Sequence, residues 1–125
     1  MATDLTVRLT DTPGAMAGAC EALGQEGINI DGCCAYPAGT AGQLHLLVED
    51  AGAARAALTA AGYEVVQDRT VIVHELEDVP GSAGAALRRI ADAGANLELV
   101  YIAAGTRLVL GVDDLETARS ALSRS

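Results

Sequence analysis

Two short segments of the chain place a carboxylate, a proline and a glycine directly before a predicted helix. They are Asp11-Thr12-Pro13-Gly14 and Asp78-Val79-Pro80-Gly81. The first N–H groups of a helix have no partner inside it and lie at the positive end of its dipole, so they favour a carboxylate ligand. Because glycine has no Cβ, a ligand can approach the backbone closely there. The small residues that follow, Ala15 and Ser82, leave room for such a ligand.

An asparagine follows each segment at the same distance. Asn29-Ile30 recurs as Asn96-Leu97, and each asparagine lies sixteen residues after the proline of its segment. A side-chain amide both donates and accepts hydrogen bonds, so it can bind an α-amino or an α-carboxylate group, and the aspartates could pair with an ammonium. These residue types together could bind a free amino acid. The alternative interpretation is structural, because Asp-x-Pro-Gly is also a sound turn and helix cap.

Both segments belong to a longer internal repeat. An offset of 67 residues aligns Leu5 with Ile72 and continues to Asp31 and Glu98, and an offset of 64 aligns the remainder. Each copy alternates strand, helix, two strands and helix, and the first copy adds a short fourth strand. We therefore predict an α+β fold of two ferredoxin-like βαββαβ repeats, 4–68 and 70–125, the second lacking its last strand and leaving an open sheet edge.

The repeat assigns an element to most of the chain. In the first copy the pattern predicts strands at 4–10, 28–36, 43–49 and 63–66, with one helix before Gly27 and a second around Leu58. In the second copy it predicts strands at 70–77, 95–103 and 106–112 and helices at 81–93 and 114–123. Alternation puts one set of residues on the face away from the helices, and many of them are apolar: Cys33, Leu47, Val73, Val100, Ile102 and Val109. A partner, most simply a second copy of the chain, is expected to cover that face.

The strand–Asp-x-Pro-Gly–helix unit, with Gly-x-Asn-(Ile/Leu) opening the next strand, resembles the ACT domain, a family of small regulatory modules that bind amino acids. The resemblance extends over nearly the whole chain, in two copies. It implies a tandem ACT-like protein whose ligand lies between the loop of one domain and the second strand of its neighbour. The implied ligand-binding residues are Asp11, Thr12, Pro13, Gly14, Ala15, Asn29 and Ile30 in the first copy and Asp78, Pro80, Gly81, Ser82, Asn96 and Leu97 in the second.

The resemblance also implies a non-enzymatic role with a protein output. The first interpretation is a sensor of a free amino acid that acts on an enzyme or a regulator. The alternatives are an interaction module that resembles the stand-alone double-ACT regulators of the glycine-cleavage repressor type, and a regulatory subunit of an amino-acid biosynthetic enzyme. No nucleophile with a positioned base, no phosphate-binding loop and no cofactor motif is evident in the sequence.

Composition excludes several classes of protein. The net charge is −9, all eight basic residues are arginine, and phenylalanine and tryptophan are absent. Such a chain lacks the side chains that neutralise phosphates and stack on bases, so direct nucleic-acid binding is not expected. No apolar run approaches the roughly 20 residues that span a bilayer, and the start of the chain has no signal-peptide pattern. Three cysteines without framework spacing favour a cytoplasmic protein.

The cysteines and histidines support one further, remote interpretation. Cys33 and His45 are predicted on the same outer face, so two copies could supply four ligands to a metal ion and make the protein a metal sensor. The simpler interpretation is that Cys20, Cys33 and Cys34 are small apolar residues of the core or an interface, with Cys34 on the helix-facing side. His74 aligns with Val7 and is predicted to be a core histidine.

Overall fold

The computed structural model describes residues 2–123, which divide into two compact units, 2–69 and 70–123. Residues 124 and 125, the end of the predicted second copy, lie outside the described residues. The elements follow in the order β1 (Ala2–Thr10), α1 (Ala15–Gln25), β2 (Gly32–Ala38), β3 (Ala41–Val48), α2 (Ala51–Ala60), β4 (Glu64–Glu75), α3 (Ser82–Asp92), β5 (Leu97–Ala103), β6 (Arg107–Val112) and α4 (Leu115–Ser123). No helix among the described residues is long and apolar enough to cross a bilayer.

In the first unit β3 pairs antiparallel with both β1 and β2. Residues directly opposite one another in an antiparallel pair share a face of the sheet. His45 lies opposite Thr6 on one side and Cys34 on the other, so these three residues share one face. The other face packs against α1 and α2 around a core of aliphatic side chains: Leu5, Val7, Leu9, Ala19, Leu23, Leu44, Leu46, Val48, Ala54 and Leu58.

In the second unit β6 pairs antiparallel with both β4 and β5. Ile72 lies opposite Leu110, and this face packs against α3 and α4. The core again consists of aliphatic side chains: Ile72, Ala86, Ile90, Ala95, Leu108, Leu110, Val112, Ala118 and Leu122. The small alanines let each helix lie close to its sheet, since a packed core needs complementary volumes rather than aromatic rings.

The β4 strand corrects the predicted elements. The sequence indicates two separate strands, 63–66 and 70–77, but the structure has one continuous strand, Glu64–Glu75. The residues between the two predicted strands include no glycine or proline, so nothing in them requires a turn. The boundary between the compact units therefore falls inside a strand rather than in a loop.

The alternation predicted for β2 and β5 is wrong by one residue. Cys33 lies opposite Leu46 of the helix-facing core, and Cys34 lies opposite His45 on the other face. In the same way Ile102 lies opposite Leu108 of the second core. Residues 28–31 lie outside β2, and β5 has a register shift between Leu97 and Leu99. The two-residue alternation counted through these segments is therefore out of step by one residue with the paired parts of both strands.

The observed faces of the strands remove the reason for expecting a partner to cover the outer face. Leu47 and Val109, predicted to need a partner, are buried within the chain itself. The apolar residues of β5 that are exposed, Val100 at 39% and Ile102 at 61%, lie on the face of Leu110 and Leu108. The outer face of the sheets therefore gives no reason to expect a second copy. His74, predicted in the core, is only half-buried, and the buried histidine is His45.

Candidate functional site

The two Asp-x-Pro-Gly segments adopt the same conformation at the start of their helices. Gly14 and Gly81 both have φ 91° and ψ −12°, in the left-handed region that favours glycine. No side chain in the described part of the chain caps either α1 or α3. Helix geometry leaves the N–H groups of Met16 and Ala17 without a partner inside α1. The start of each helix thus presents backbone donors next to an exposed glycine.

A cavity of about 240 Å³ adjoins the first of these segments. Asp11, Thr12 and Ala15 contribute to its wall, so three of the predicted site residues lie together. The remaining wall includes Met16 of α1 and residues of the three strands: Leu9, Thr10, Ala35, Tyr36, Pro37, Gly42 and Gln43. Thr10 Oγ1 and Thr12 Oγ1 lie 3.0 Å apart and hold this wall together. Pro13 and Gly14 are exposed beside the cavity.

A larger cavity, of about 630 Å³, shares residues 9–12 with the first. Arg8, Thr40 and Tyr63 contribute to its wall. Arg8 is exposed and is the one cation among the lining residues of these two cavities. Residues 10–12 therefore separate two spaces in the first unit, and the smaller one lies at the start of α1.

In the second unit the equivalent segment is closed by its own hydrogen bonds. Ser82 Oγ donates to the carbonyl of Glu77 at 2.7 Å, and the Ser82 N–H donates to the carbonyl of Val79 at 3.4 Å. Asp78, Pro80 and Gly81 are exposed. The Ser82 hydroxyl is thus engaged within the loop, while its N–H bond matches that of the Ala15 N–H to the carbonyl of Thr12 at 3.3 Å in the first unit.

The predicted asparagines lie away from their own loops. Asn29 precedes β2, is exposed, and donates through Nδ2 to Asp31 Oδ1 at 3.0 Å. The start of β2 pairs with the end of β3, whereas the Asp11 loop follows the end of β1, which pairs with the start of β3. Ile30 packs against the first core. Within one unit, Asn29 and the loop therefore lie at opposite ends of the sheet.

The second asparagine is similarly placed. The Asn96 N–H donates to Asp113 Oδ1 at 2.7 Å, and its carbonyl accepts from the Asp113 N–H at 3.1 Å. Leu97 packs against the second core. The backbone of Asn96 thus fixes the start of β5.

A buried polar network lies on the outer face of the first sheet. Asp4 is fully buried and His45 is 6% exposed, and Asp4 Oδ2 lies 2.9 Å from His45 Nδ1. The other ring nitrogen, Nε2, lies 3.0 Å from the hydroxyl of Tyr36, which also accepts from Gln43 Nε2 at 3.0 Å. Thr6 Oγ1 lies 3.4 Å from Asp4 Oδ2 and 3.3 Å from His45 Nδ1. The rings of Tyr36 and His45 stack with their centroids 5.8 Å apart.

The sequence pattern did not predict this network. Its signal is the alternation of polar residues on two neighbouring strands, Asp4 and Thr6 on β1 and Gln43 and His45 on β3. Alternation alone is typical of a solvated face. Because the strand register places these residues side by side and buries Asp4 and His45, they form a connected network of hydrogen bonds. The sequence alone gives neither the register nor the burial.

The cysteines do not form a metal site with His45. All three are free, and the described residues contain no group of three or more ligands that could hold a metal ion. Cys33 lies on the opposite face from His45, so the predicted pair is wrong. Burial, the Asp4 carboxylate and the neighbouring Cys33 all raise the pKa of the Cys34 thiol. Burial, and secondarily Cys33, raise the pKa of Cys20.

Solved structures share this architecture over 97% of the chain. Protein BT0572 from Bacteroides thetaiotaomicron matches with a TM-score of 0.86 at 23% identity, over 85% of its own length. The ligand-free regulatory subunit of aspartate kinase from Thermus thermophilus matches at 0.69 and 24%, over 87%. The regulatory subunit of aspartate kinase from Thermus flavus matches at 0.67 and 24%, over 88%. No protein-family model and no curated protein matches the sequence.

These likenesses establish the class of fold. The chain has an α+β, ACT-like fold, as the Asp-x-Pro-Gly resemblance predicted, and shares it with these solved structures. Because all three identities are below 25%, the comparisons define the architecture and not the ligand. The tandem organisation, the boundaries 4–68 and 70–125 and the ligand-binding residues remain predictions.

Proposed function

We propose that the chain is a non-enzymatic, cytoplasmic regulatory protein that binds a free amino acid at the start of α1 in the first unit. The observation that carries the proposal is the 240 Å³ cavity, whose wall joins Asp11, Thr12 and Ala15 to the first turn of that helix. This volume is below the roughly 300–1,000 Å³ of pockets that hold drug-sized ligands, which favours a small metabolite.

The chemistry of this wall matches the two charges of an amino acid. The N–H groups of the first turn of α1 and the helix dipole favour the α-carboxylate. Gly14 keeps that backbone free of a Cβ, and its φ of 91° holds the turn. Asp11, exposed in the loop, supplies a carboxylate for the α-ammonium group. The wall carries no aromatic cage, so backbone groups and small side chains supply most of the contact.

The first unit is the better candidate of the two. Ser82, the counterpart of Ala15, uses its hydroxyl inside its own loop, whereas Ala15 has no polar side chain that could close the first loop in this way. We propose that the corresponding residues of the second copy have a structural role or form a weaker binding site. They are Asp78, Pro80, Gly81 and Ser82. For Asn29, Ile30, Asn96 and Leu97 we propose a role across paired copies, because Asn29 cannot reach the loop of its own unit.

The output is proposed to be a protein partner, an enzyme of amino-acid metabolism or a regulator. The similarity in fold to regulatory subunits of aspartate kinase supports an enzyme as partner. A bound ligand changes the partner's activity only if it binds one associated state more tightly than the other. Co-purification of the tagged chain, followed by mass spectrometry, distinguishes an enzyme from a regulator.

A thermal-shift screen against the twenty amino acids tests the ligand. A single site at 100-fold excess over Kd adds about 2.7 kcal/mol of stability, so a true ligand raises the melting temperature clearly. Asp11→Asn and Asp78→Asn form a matched pair, because they make the same change in the two loops. We expect Asp11→Asn to remove the shift and Asp78→Asn to keep it. No shift with any amino acid would overturn the proposal.

The proposal includes a homodimer, but one formed through β5 rather than through the outer face of the sheets. β5 is paired with β6 and exposes Val100 and Ile102, so an edge contact between copies is the form that the apolar surface supports. Light scattering of the wild-type chain and of Ile102→Glu tests it. A monomer in both would overturn this part without affecting the ligand proposal.

A further inference from the structure

Two of the three cysteines face the same space between a helix and a strand of the first unit. On β2, Cys33 and Ala35 lie opposite leucines of the first core, so both face the helices. Cys34, which lies between them, is opposite His45 on the other face, because side chains alternate along a strand. Cys33 is exposed, whereas Cys20 of α1 and Cys34 are partly buried.

The direction of α1 brings Cys20 next to Cys33. Both β1 and β2 run antiparallel to β3, so α1, which connects the end of β1 to the start of β2, runs opposite to β2. Met16 and Ala35 both contribute to the wall of the 240 Å³ cavity, so the helix and the strand meet there. From that point, four residues along α1 advance about 6 Å and two residues back along β2 about 6.7 Å. These matching steps end at Cys20 and Cys33.

Two other observations agree with this placement. A Cβ at Gly18 would collide with the hydroxyl of Tyr63, which lies between α2 and β4, so this edge of α1 faces α2. Residues two apart in a helix point about 200° away from each other, so Cys20 lies on the opposite edge, beside β2. Burial, and secondarily the neighbouring Cys33, raise the pKa of the Cys20 thiol, so Cys33 is close enough to act on it.

We propose that Cys20 and Cys33 form a modification site at which a peroxide oxidises the chain and joins α1 to β2 by a reversible disulfide. The site is separate from the proposed amino-acid site and does not depend on it. In a reducing compartment disulfides are usually transient and redox-sensing, which agrees with the free cysteines of the structure.

The exposed thiol reacts first, as a thiolate. The Cys33 sulfur attacks one peroxide oxygen, the O–O bond breaks, and the hydroxide that leaves takes up the proton lost by Cys33. The product is a sulfenic acid. The Cys20 sulfur then attacks the Cys33 sulfur, the S–O bond breaks, and hydroxide leaves with the Cys20 proton as a second water. The two thiols lose two electrons in all, and the peroxide is reduced to two molecules of water.

The disulfide would connect the two sides of the 240 Å³ cavity. It lies one helical turn from the wall that Met16 and Ala35 share, so oxidation fixes the spacing of α1 and β2 there. A cross-link also restricts the unfolded chain, so the oxidised protein should melt at a higher temperature than the reduced protein. A lower melting temperature on forming the link would show that α1 and β2 must leave their observed positions to be joined, which would overturn the placement.

Peptide mapping of the full chain tests the site directly. The reduced protein is treated with hydrogen peroxide, its remaining thiols are blocked, and its unreduced peptides are analysed by mass spectrometry. We expect a Cys20–Cys33 link within one chain and Cys34 recovered as a blocked free thiol. Dithiothreitol should then restore both linked thiols.

Three serine variants separate the roles of the cysteines. Cys20→Ser should lose the link and accumulate the sulfenic acid of Cys33, which dimedone traps. Cys33→Ser should lose both the link and the dimedone adduct. Cys34→Ser is the matched control, because it changes the adjacent residue on the other face, and it should form as much of the link as the wild type. The melting temperature before oxidation shows whether each variant keeps the fold.

Several results would overturn the inference. They are a link between Cys33 and Cys34, a link found only between two chains, and equal trapping of the sulfenic acid in wild type and Cys20→Ser. The wild-type map needs no variant, so it decides the question even where a variant fails to fold. No amino acid is present at any step, so the failure of this inference and the failure of the proposed function are distinguishable.

Discussion

Asp4 Oδ2 and His45 Nδ1 lie 2.9 Å apart in the interior of the first unit, on neighbouring strands that the antiparallel register brings together. A buried carboxylate is costly unless it is hydrogen-bonded, so this pair sets a strong constraint on the sheet. The same register places the apolar neighbours of both residues, such as Leu5 and Leu46, in the helix-covered core. One alternation in each strand thus builds both the core and the polar network.

Replacing His45 should destabilise the protein strongly. His45→Leu removes the 2.9 Å partner of a buried carboxylate, and we expect a loss of about 3 kcal/mol in the free energy of unfolding, measured by urea denaturation. Adding Asp4→Leu should restore most of this stability, because replacing both partners by apolar groups can be nearly neutral. His74→Leu serves as control and should change stability little. An additive double variant would contradict the pairing.

The thiols should react in an order set by burial and by Asp4. Raised pKa values keep Cys34 and Cys20 protonated at pH 7.5, and the thiol is a poor nucleophile compared with the thiolate. We expect exposed Cys33 to be alkylated by iodoacetamide first. The rates are separable in chains that retain one cysteine each.

The variant that retains only Cys34 tests how far the Asp4 carboxylate raises the pKa of that thiol. Asp4→Asn removes the carboxylate that raises the pKa of Cys34, so its alkylation should accelerate. The same substitution in the chain that retains Cys33 is the control and should leave the rate unchanged. Acceleration of both cysteines would indicate local opening of the sheet instead.

The sequence predicted well wherever one residue type determines the backbone. Gly14 and Gly81 end their turns at a positive φ, and their identical angles follow from the repeated segment. Helix starts also agree with the periodicity, and so do the helix core residues Ala19 and Leu23, because a stripe at this spacing has one way to face a sheet. The ACT-like fold was predictable because these local signals agree with one another.

Sequence reasoning failed where pairing decides the outcome. Asn29 and Asp31 bond to each other in a segment that is not part of β2, so the alternation counted through that segment does not hold, and Cys33 rather than Cys34 pairs with the core residue Leu46. His45 and His74 look equivalent as isolated histidines in alternating strands, yet one is buried and bonded and the other is half-exposed. The wall of the 240 Å³ cavity beside Ala15 also includes residues from the end of β2. No spacing in the sequence indicates that these residues lie next to Ala15.

Asp114 should make stability depend on pH at the acidic end. Hydrogen bonds from the Thr117 side chain at 2.7 Å and from its N–H at 3.1 Å lower the pKa of Asp114 below its usual 3.8. A lowered pKa contributes stability above the unfolded value, and this is lost as pH falls through the folded one. Thr117→Val should therefore be less stable than wild type at pH 7, with the difference shrinking below pH 3.8.

Two other threonine variants sharpen the measurement. Thr117→Ser keeps the hydroxyl and should behave like wild type across the pH range. Thr59→Val, in α2, makes the same change away from a helix start and should give a difference that does not vary with pH in the acidic range. A constant difference for Thr117→Val as well would show that the side-chain bond to Asp114 is not the cause.

Two glycines of α1 should respond to the same substitution in opposite directions. A Cβ at Gly18 would collide with the hydroxyl of Tyr63, whereas a Cβ at Gly24 would meet open space. Gly24→Ala should raise stability by about 0.5–1 kcal/mol through helix propensity. Gly18→Ala should lower it by about 1–3 kcal/mol, because the collision costs more than the propensity gains.

Tyr63→Phe removes the colliding oxygen and should restore the loss of stability in the Gly18→Ala background. Urea denaturation of the four variants measures these changes in stability. If Gly18→Ala stabilises the protein as Gly24→Ala does, Tyr63 does not pack over α1 in solution. The wall of the 630 Å³ cavity, to which Tyr63 contributes, is then open at that residue.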